Sequence, residues 1–410
     1  MFARLTRRAD HAKRISADHV NRISIVERSG LFDRDWYLKQ YPDVASTGLD
    51  PLRHFVERGS AEGRSPGPGF DAAWYLSRYS DVRAAGIEPL FHYLEFGVAE
   101  KRLPISRTNE DVVSDYWGAD RKAESQHSWL ENKVILDCLH RRVSGDPQVG
   151  TYSWVKQKYF PAPVSLCLSL GCGLGDFERG AIGLGIAKKF HAYDISSGAI
   201  ETAQKRATAA GLTDQIEYGV QNLENVVLPA KTYDAIFMIS SAHHIFNLEN
   251  LFFQCRDALK PGGLMILDEY IGPTRFQSSP LVTEIINKML AILPSRYRKN
   301  LFTNDGRTID SYAPFSLEEF ERNDPSEAIR SGEIVNVLKL YFDIVDLRPY
   351  GGAILHMLFS GIMGNFDESN DTDVTLLRTI SAFEEILEKV GAINSDFAAI
   401  VAKPRQTVLS

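Results

Sequence analysis

The sequence predicts an α/β fold: a largely parallel sheet with helices on both faces, preceded by a small all-α repeat domain. Three observations carry that prediction. From about residue 163, short apolar runs alternate with amphipathic stretches, which is how buried parallel strands joined by crossover helices read. The first of these runs, VSLCLSL at 164–170, passes directly into GCGLGDFE. Near the front, WYLKQYPDV at 36–44 returns as WYLSRYSDV at 74–82, an internal repeat of helical type.

The bulk properties bound the rest. A chain of 410 residues suits two or three domains. With 44% hydrophobic and 24% charged residues it reads as globular rather than disordered. A net charge of -7 argues against a sequence-wide grip on nucleic acid. Cys138, Cys167, Cys172 and Cys255 form no CxxC pair, so neither a zinc knuckle nor a disulfide framework is expected. No apolar run reaches the roughly 18 residues of a membrane span, and the N-terminus lacks a signal-peptide core. A cytoplasmic protein is expected, with at most peripheral contact at the inner membrane face. That contact would come from a basic helix over residues 1–30, where Arg4, Arg7, Arg8, Lys13, Arg14, Arg22 and Arg28 outnumber Asp10, Asp18 and Glu27. The alternative is a solvated terminal helix.

The repeat occupies 31–107. Residues 32–69 align with 70–107 without a gap, giving 18 identities in 38 positions. Asp33 and Asp71 are placed to cap a helix carrying the Trp-Tyr-Leu face, and Gly48 and Gly86 to break the chain. Asp50-Pro51 opens a second helix, which Gly59 and Gly97 end. Trp36, Trp74 and their tyrosines are expected in the core. Both copies resemble a repeat, FDxxWYLxxYPDVxxxGxxPLxHYxxxGxxEGRxP, seen beside bacterial glycosyltransferases and polysaccharide-biosynthesis proteins, with Ser80 and Lys101 as departures. The resemblance implies a setting among glycan-assembly proteins, not a reaction.

In the middle of the chain, Gly171, Gly173 and Gly175 let the backbone turn tightly after a strand and approach a ligand. The next strand, KKFHAYDIS, brings Asp194 to where a carboxylate can accept both hydroxyls of a ribose. The spacing is GxGxG, with Asp176 where the last glycine of GxGxxG would stand. IEYGVQNLE, TYDAIFMISSAHHI and LKPGGLMILDEYIG follow in order. Together these segments resemble class I S-adenosylmethionine-dependent methyltransferases. The resemblance implies a seven-stranded Rossmann-like sheet in a catalytic domain over 161–410 and S-adenosyl-L-methionine as cofactor. Gly171, Cys172, Gly173 and Gly175 would lie under its amino-acid part, Asp194 at the ribose and Ile195 at the adenine. Asn222 or Leu223 would meet the adenine amine, and Ser240 is counted with the cofactor contacts. Asp234 and Lys260 to Gly263 are framework.

An acceptor should sit beyond the carboxyl ends of the fourth and fifth strands. There the sequence offers Ser240, Ser241, His243 and His244, then Asp268, Glu269, Tyr270, Arg275 and Gln277. His243 or His244, oriented by Glu269, is the expected base for a hydroxyl, with Tyr270, Arg275 and Gln277 as acceptor contacts. Packing or helix capping is the alternative for the histidines. Asp268 and Glu269, adjacent on a strand, point to opposite faces, so no metal is expected.

A helical lid is predicted over about 273–340. In it Asp324 would cap a helix, Pro325 would fill its first turn and Glu327 would complete a capping box. The sixth and seventh strands are placed at 342–351 and 395–404, with helices around 352–364 and 372–391. Tyr312, His356 and Asn365 are acceptor contacts or packing residues. A helical segment over 108–160 is expected to cover the cofactor with Tyr116 and Trp117, with core packing of these two residues as the alternative. DEYIGPTRFQ and YGGAILHMLFSGIMGNF resemble segments of methyltransferases from bacterial glycan modification. The resulting expectation is O-methylation of a sugar hydroxyl of a bacterial surface polysaccharide or its precursor. Methylation of a small metabolite or lipid, and an inactive scaffold, are the alternatives.

Overall fold

The computed structural model describes residues 22–45, 48–100, 102, 104, 128–303, 305–317, 319–320 and 324–405. Residues 1–21 of the basic segment, and Tyr116 and Trp117, lie outside them. The chain divides into two compact units, Met1–Thr108 and Asn109–Ser410.

In the first unit the two sequence copies repeat each other bond for bond. The carboxylates of Asp33 and Asp71 accept from the N–H of Trp36 at 2.9 Å and of Trp74 at 3.0 Å, starting helices Arg34–Gln40 and Ala72–Arg78. Each helix buries its tyrosine completely, Tyr37 or Tyr75, while Trp36 and Trp74 remain half-buried. The tyrosine hydroxyls meet His54 Nδ1 at 3.2 Å and His92 Nδ1 at 3.0 Å. Arg64 grips Asp43, and Arg102 grips Asp81, each through two hydrogen bonds.

The second helix of each copy opens as α, Pro51–His54 or Pro89–His92, and closes as one π turn, Phe55–Gly59 or Tyr93–Gly97. Gly59 and Gly97 are required there by contact: a methyl group on either would overlap the buried Tyr37 or Tyr75 hydroxyl. The copies differ at the cap. Asp50 accepts from Arg53 N at 2.9 Å, whereas Glu88 accepts from Ser60 Oγ at 2.8 Å and from Arg22 at 3.1 Å, tying the copies and residue 22 together.

The second unit is a seven-stranded sheet in the order β3-β2-β1-β4-β5-β7-β6. The strands are β1 Cys167–Leu170, β2 Phe190–Asp194, β3 Ile216–Val220, β4 Tyr233–Ile239, β5 Leu259–Tyr270, β6 Phe342–Gly351 and β7 Phe397–Pro404. β1 to β5 run parallel, and β7 is antiparallel to both β5 and β6. Alternate residues feed two cores, one on each face: Ala235 and Phe237 of β4 pack on one side, Ile236 and Met238 on the other. Asp234 is framework as expected, accepting from Leu166 N and Lys260 Nζ, both at 2.9 Å. The chain order reverses between β1 and β4, so their carboxyl ends open the crevice in which such sheets bind ligands. Among the described residues no helix is long and apolar enough to cross a membrane.

Among the described residues, the predicted lid has its long helices at its two ends. Pro280–Ile292 and Ile334–Tyr341 are α-helices, but 324–330 is a run of turns. Asp324 accepts from Ser326 N at 2.9 Å in a local turn, and the helix starts at Ile334 rather than at Pro325, where its capping signal put it. The reason is tertiary: Glu327, the residue expected to close the capping box, is drawn to the histidines instead.

The buried glycines of the repeat give a direct test. Gly59→Ala should cost about 1–3 kcal/mol of stability through overpacking, read as a lower midpoint in calorimetric unfolding of the full chain. Combining it with Tyr37→Phe, which removes the overlapped oxygen, should recover part of that loss; strict additivity would show that the contact is not the cause.

Candidate active site

Two groups of residues meet at the carboxyl ends of the central strands. The first is the glycine loop. Gly171 has φ 74°, and a Cβ there would collide with Ser241 at the end of β4. Gly173 has φ 50° and faces open space, with nothing within 4 Å of where a Cβ would lie. Its N–H donates to Asp194 Oδ2 at 2.8 Å, and Ser196 N–H donates to Oδ1 at 2.9 Å. Asp194 therefore braces the loop, and each carboxylate oxygen retains lone-pair capacity for a further donor. Burial pushes its carboxyl up despite those backbone bonds. Ile195 follows directly. Asn222 sits beyond β3 and caps the turn Leu223–Asn225, its amide oxygen accepting from Glu224 N at 2.9 Å. Cys172 is buried, and burial pushes its thiol up.

Glu178, in helix Asp176–Gly183 just after the loop, went unremarked in the sequence. An acid in the first turn of a helix is ordinary, and no pattern marks it as buried. Yet it is 0% exposed, and among the described residues the Ser169 hydroxyl approaches its carboxylate without a hydrogen bond of good geometry to either oxygen. Burial pushes it up to about 7. A buried carboxylate without a well-placed donor is costly unless a cationic group meets it.

The second group is built on Glu269, the penultimate residue of β5. Its Oε2 accepts from Ser241 N at 2.9 Å and Ala242 N at 2.6 Å, and its Oε1 from Tyr270 N at 2.8 Å and from His243 Nδ1. Ser241 Oγ in turn donates to Leu170 O at 2.7 Å. The same serine that demands a glycine at 171 thus hangs from Glu269, so the two groups share one joint.

Glu327 faces the imidazoles from the turn after the lid helix, its Oε1 3.3 Å from His243 Nε2 and its Oε2 3.9 Å from His244 Nε2. His244 Nδ1 pairs with Ser326 Oγ at 3.0 Å, and Ser326 Oγ donates to Asp324 Oδ1 at 2.6 Å. Burial opposes the charge on His243, but Glu269 and Glu327 outweigh it and hold its pKa up to about 10. Burial, reinforced by His243, pushes His244 down. The two adjacent histidines are therefore unlike, one an imidazolium and one neutral at pH 7.

Arg275 fixes this turn. Its guanidinium donates to the carbonyls of Glu327 and Pro325, both at 2.6 Å, and its N–H to Ala328 O at 2.8 Å. Ile329 N–H adds a bond to His243 O at 3.0 Å. Of the five non-glycine residues with positive φ among the described residues, Ser240, Arg275, Phe276 and Ala328 lie in this neighbourhood. Such conformations cost about 1–3 kcal/mol each and gather at functional sites.

The other expected acceptor contacts are occupied within the chain. Tyr270 is buried and its hydroxyl donates to Pro273 O at 2.9 Å, while Gln277 donates to Arg275 O and Phe315 O. Asp268 accepts from Tyr350 Oη at 2.7 Å, away from Glu269's partners, so the acidic pair is split as its strand position implied. Ser240 is exposed, and its N–H bonds Asp268 O at 2.8 Å. Asn365 braces the carbonyls of Tyr297 and Lys299, and Tyr312 meets Ser278. His356 packs against Phe276 and Phe397, with a buried Nδ1 that has no partner.

A methyltransferase-domain family model matches residues 167–263, the stretch from β1 into β5 that carries the glycine loop, Asp194 and the two histidines but ends before Glu269 and Glu327. The sheet unit thus carries a stretch that matches a methyltransferase domain. Among curated proteins, a ubiquinone biosynthesis O-methyltransferase of Methylocella silvestris is 28% identical over 174 residues, 40% of this chain and 63% of the relative. Squalene methyltransferase 2 of Botryococcus braunii is 28% identical over 137 residues, 32% of this chain and 34% of the relative. The chain thus matches less than two thirds of the length of these relatives. An S-adenosylmethionine-dependent methyltransferase structure from Mesorhizobium loti is 18% identical, covers 60% of this chain and 92% of its own, and superposes with a TM-score of 0.36.

The residues present fit the methyltransferase cofactor, S-adenosylmethionine. The open face of Gly173 admits a ligand against the backbone, Asp194 has acceptor capacity suited to ribose hydroxyls, and Glu178 offers a buried carboxylate to an ammonium. Gly171→Ala should displace Ser241 and with it the loop, weakening cofactor binding at least tenfold in titration calorimetry. Affinity unchanged in a folded variant would show that the Gly171–Ser241 contact does not shape the site.

Proposed function

We propose that this chain transfers a methyl group from S-adenosylmethionine to the oxygen of a hydroxylated acceptor held over the histidines. The carrying observation is the joint at Ser241, which sets the glycine loop and Asp194 at one end of the crevice and the Glu269–His243 pair at the other. The cofactor supplies an activated methyl on a sulfonium that leaves as a neutral thioether. What remains for the chain is to align the acceptor and remove its proton. Glu178 would take the cofactor's ammonium and Asp194 its ribose, and the cluster of His243, His244 and Glu327 faces the acceptor hydroxyl and favours the loss of its proton.

The finer reading, a sugar hydroxyl of a bacterial surface polysaccharide or its precursor, rests on the resemblance of the repeat to those beside glycan-assembly proteins. The relatives named above give it no support. A second reading, a hydroxyl on a lipid or small metabolite, is favoured by the aromatic cluster of Tyr270, Phe276, Phe397 and His356 beside His243. Incubating the protein with methyl-labelled cofactor and extracts of cells lacking it separates these. Label in surface glycan supports the first reading and label in the lipid or metabolite fraction the second. No label anywhere, with the cofactor still bound, leaves an inactive scaffold.

Two variants test the assignments. His243→Gln should lower turnover by about 10²–10⁴-fold, the span lost when a side chain that carries charge or a proton beside the reacting oxygen is removed, while calorimetric affinity for the cofactor is preserved. For Glu178, a bound cation favours the ionised carboxylate. Affinity for S-adenosylhomocysteine should therefore be full just above pH 7 and fall as pH drops below about 7, the value to which burial raises this group. Glu178→Gln should bind more weakly and lose that slope; an unchanged profile would remove Glu178 from the site.

A further inference from the structure

The geometry points to a site for a divalent first-row transition-metal ion, of the zinc, iron(II) or manganese kind, held by His243 Nε2, His244 Nε2 and the Glu327 carboxylate. Its role as a holder of the acceptor's oxygen rests on the methyltransferase reading above.

The donor atoms of these three residues lie within 4.8 Å of one another. Glu327 stands 3.3 Å from one imidazole and 3.9 Å from the other, the spread expected of ligands that each lie about 2.0–2.2 Å from a common centre. The outer bonds decide which nitrogen faces inward. Glu269 already accepts three backbone N–H groups, so His243 Nδ1 donates to it. Ser326 Oγ spends its hydrogen on Asp324, so His244 Nδ1 donates to Ser326. Both Nε2 atoms are thereby turned toward one carboxylate, an arrangement in which a metal ion can take the place of the proton that His243 otherwise carries. Each imidazole is also tied on its far side to a carboxylate, directly or through a serine, the outer arrangement that orients metal-binding histidines.

The set is two imidazoles and one carboxylate. Nitrogen donors select transition ions over magnesium or calcium, and three protein ligands leave positions open. An acceptor hydroxyl taken into an open position becomes more acidic, and its proton passes to water. The oxygen then bonds to the methyl carbon as the carbon–sulfur bond breaks and its electron pair stays on sulfur. The clamp by Arg275 on the carbonyls of Glu327 and Pro325 holds the third ligand in place, which accounts for strain at Arg275 and Ala328 that no helix requires.

The test uses the full-length protein, stripped with a chelator and titrated with cobalt(II), whose visible absorption reports its ligands, then with zinc. The expected result is one cobalt per chain with a visible band, displaced by zinc, and binding weakened at least about 100-fold in His244→Gln and Glu327→Gln. Asp324→Asn, one shell out, should weaken it about tenfold, within the 10–100-fold range of such changes. Calorimetry with S-adenosylhomocysteine on the same samples shows that each variant is folded. Retained cofactor binding without a cobalt band overturns the metal site and leaves the methyltransferase reading intact. A band without cofactor binding overturns that reading and with it the role of the ion. Equal cobalt binding by variants and wild type, or a hydrogen on His243 Nε2 that persists in nitrogen NMR with excess metal, would show an adventitious ion or a protonated pair only.

Discussion

The hydrogen bonds gathered by one buried carboxylate, Glu269, hold this site together. Its two oxygens take the N–H groups of Ser241, Ala242 and Tyr270 and the imidazole of His243, and it is fully shielded from water. In such a setting an acceptor with its donors satisfied fixes geometry strongly, and one with a donor missing is costly. The turn after β4 has the shape it has because those N–H groups have no other place to go. Ser241 carries the constraint across to β1, where a side chain at 171 would not fit.

The second constraint comes from far along the chain. Arg275, just after β5, and Glu327, some fifty residues later, are brought together by backbone carbonyls rather than by opposite charge. The segment between them carries the helix Pro280–Ile292, yet its return past the histidines is a strained turn instead of a helix. The local preference for a capped helix at 324 is outweighed by four hydrogen bonds to Arg275 and His243 and by the pull of two imidazoles on Glu327. Paired groups with opposed shifts, such as His243 held up and His244 pushed down, are where proton chemistry is assigned in active sites.

What the sequence made legible follows the range of the interactions. The strands, the glycine loop and Asp194 were readable because glycine conformational needs and strand periodicity are local. The repeat's caps at Asp33, Asp50 and Asp71 were readable for the same reason, and its duplication let one copy check the other. The pairing of a histidine with Glu269 was reachable because both follow adjacent strands. Glu178 was not legible, since nothing local distinguishes a buried acid in a first helical turn from an exposed one. Glu327 was read as a cap because its true partners are about eighty residues away. Arg275, expected to touch an acceptor, spends its guanidinium on the backbone, a choice that no side-chain pattern records.

The account stands or falls on where the cofactor lies. A crystal structure with S-adenosylhomocysteine should show its ribose hydroxyls on Asp194, its ammonium on Glu178 and its sulfur directed across Gly173 toward His243. A ligand seated elsewhere, or a crevice between β1 and β4 closed to it in the folded protein, would contradict the account.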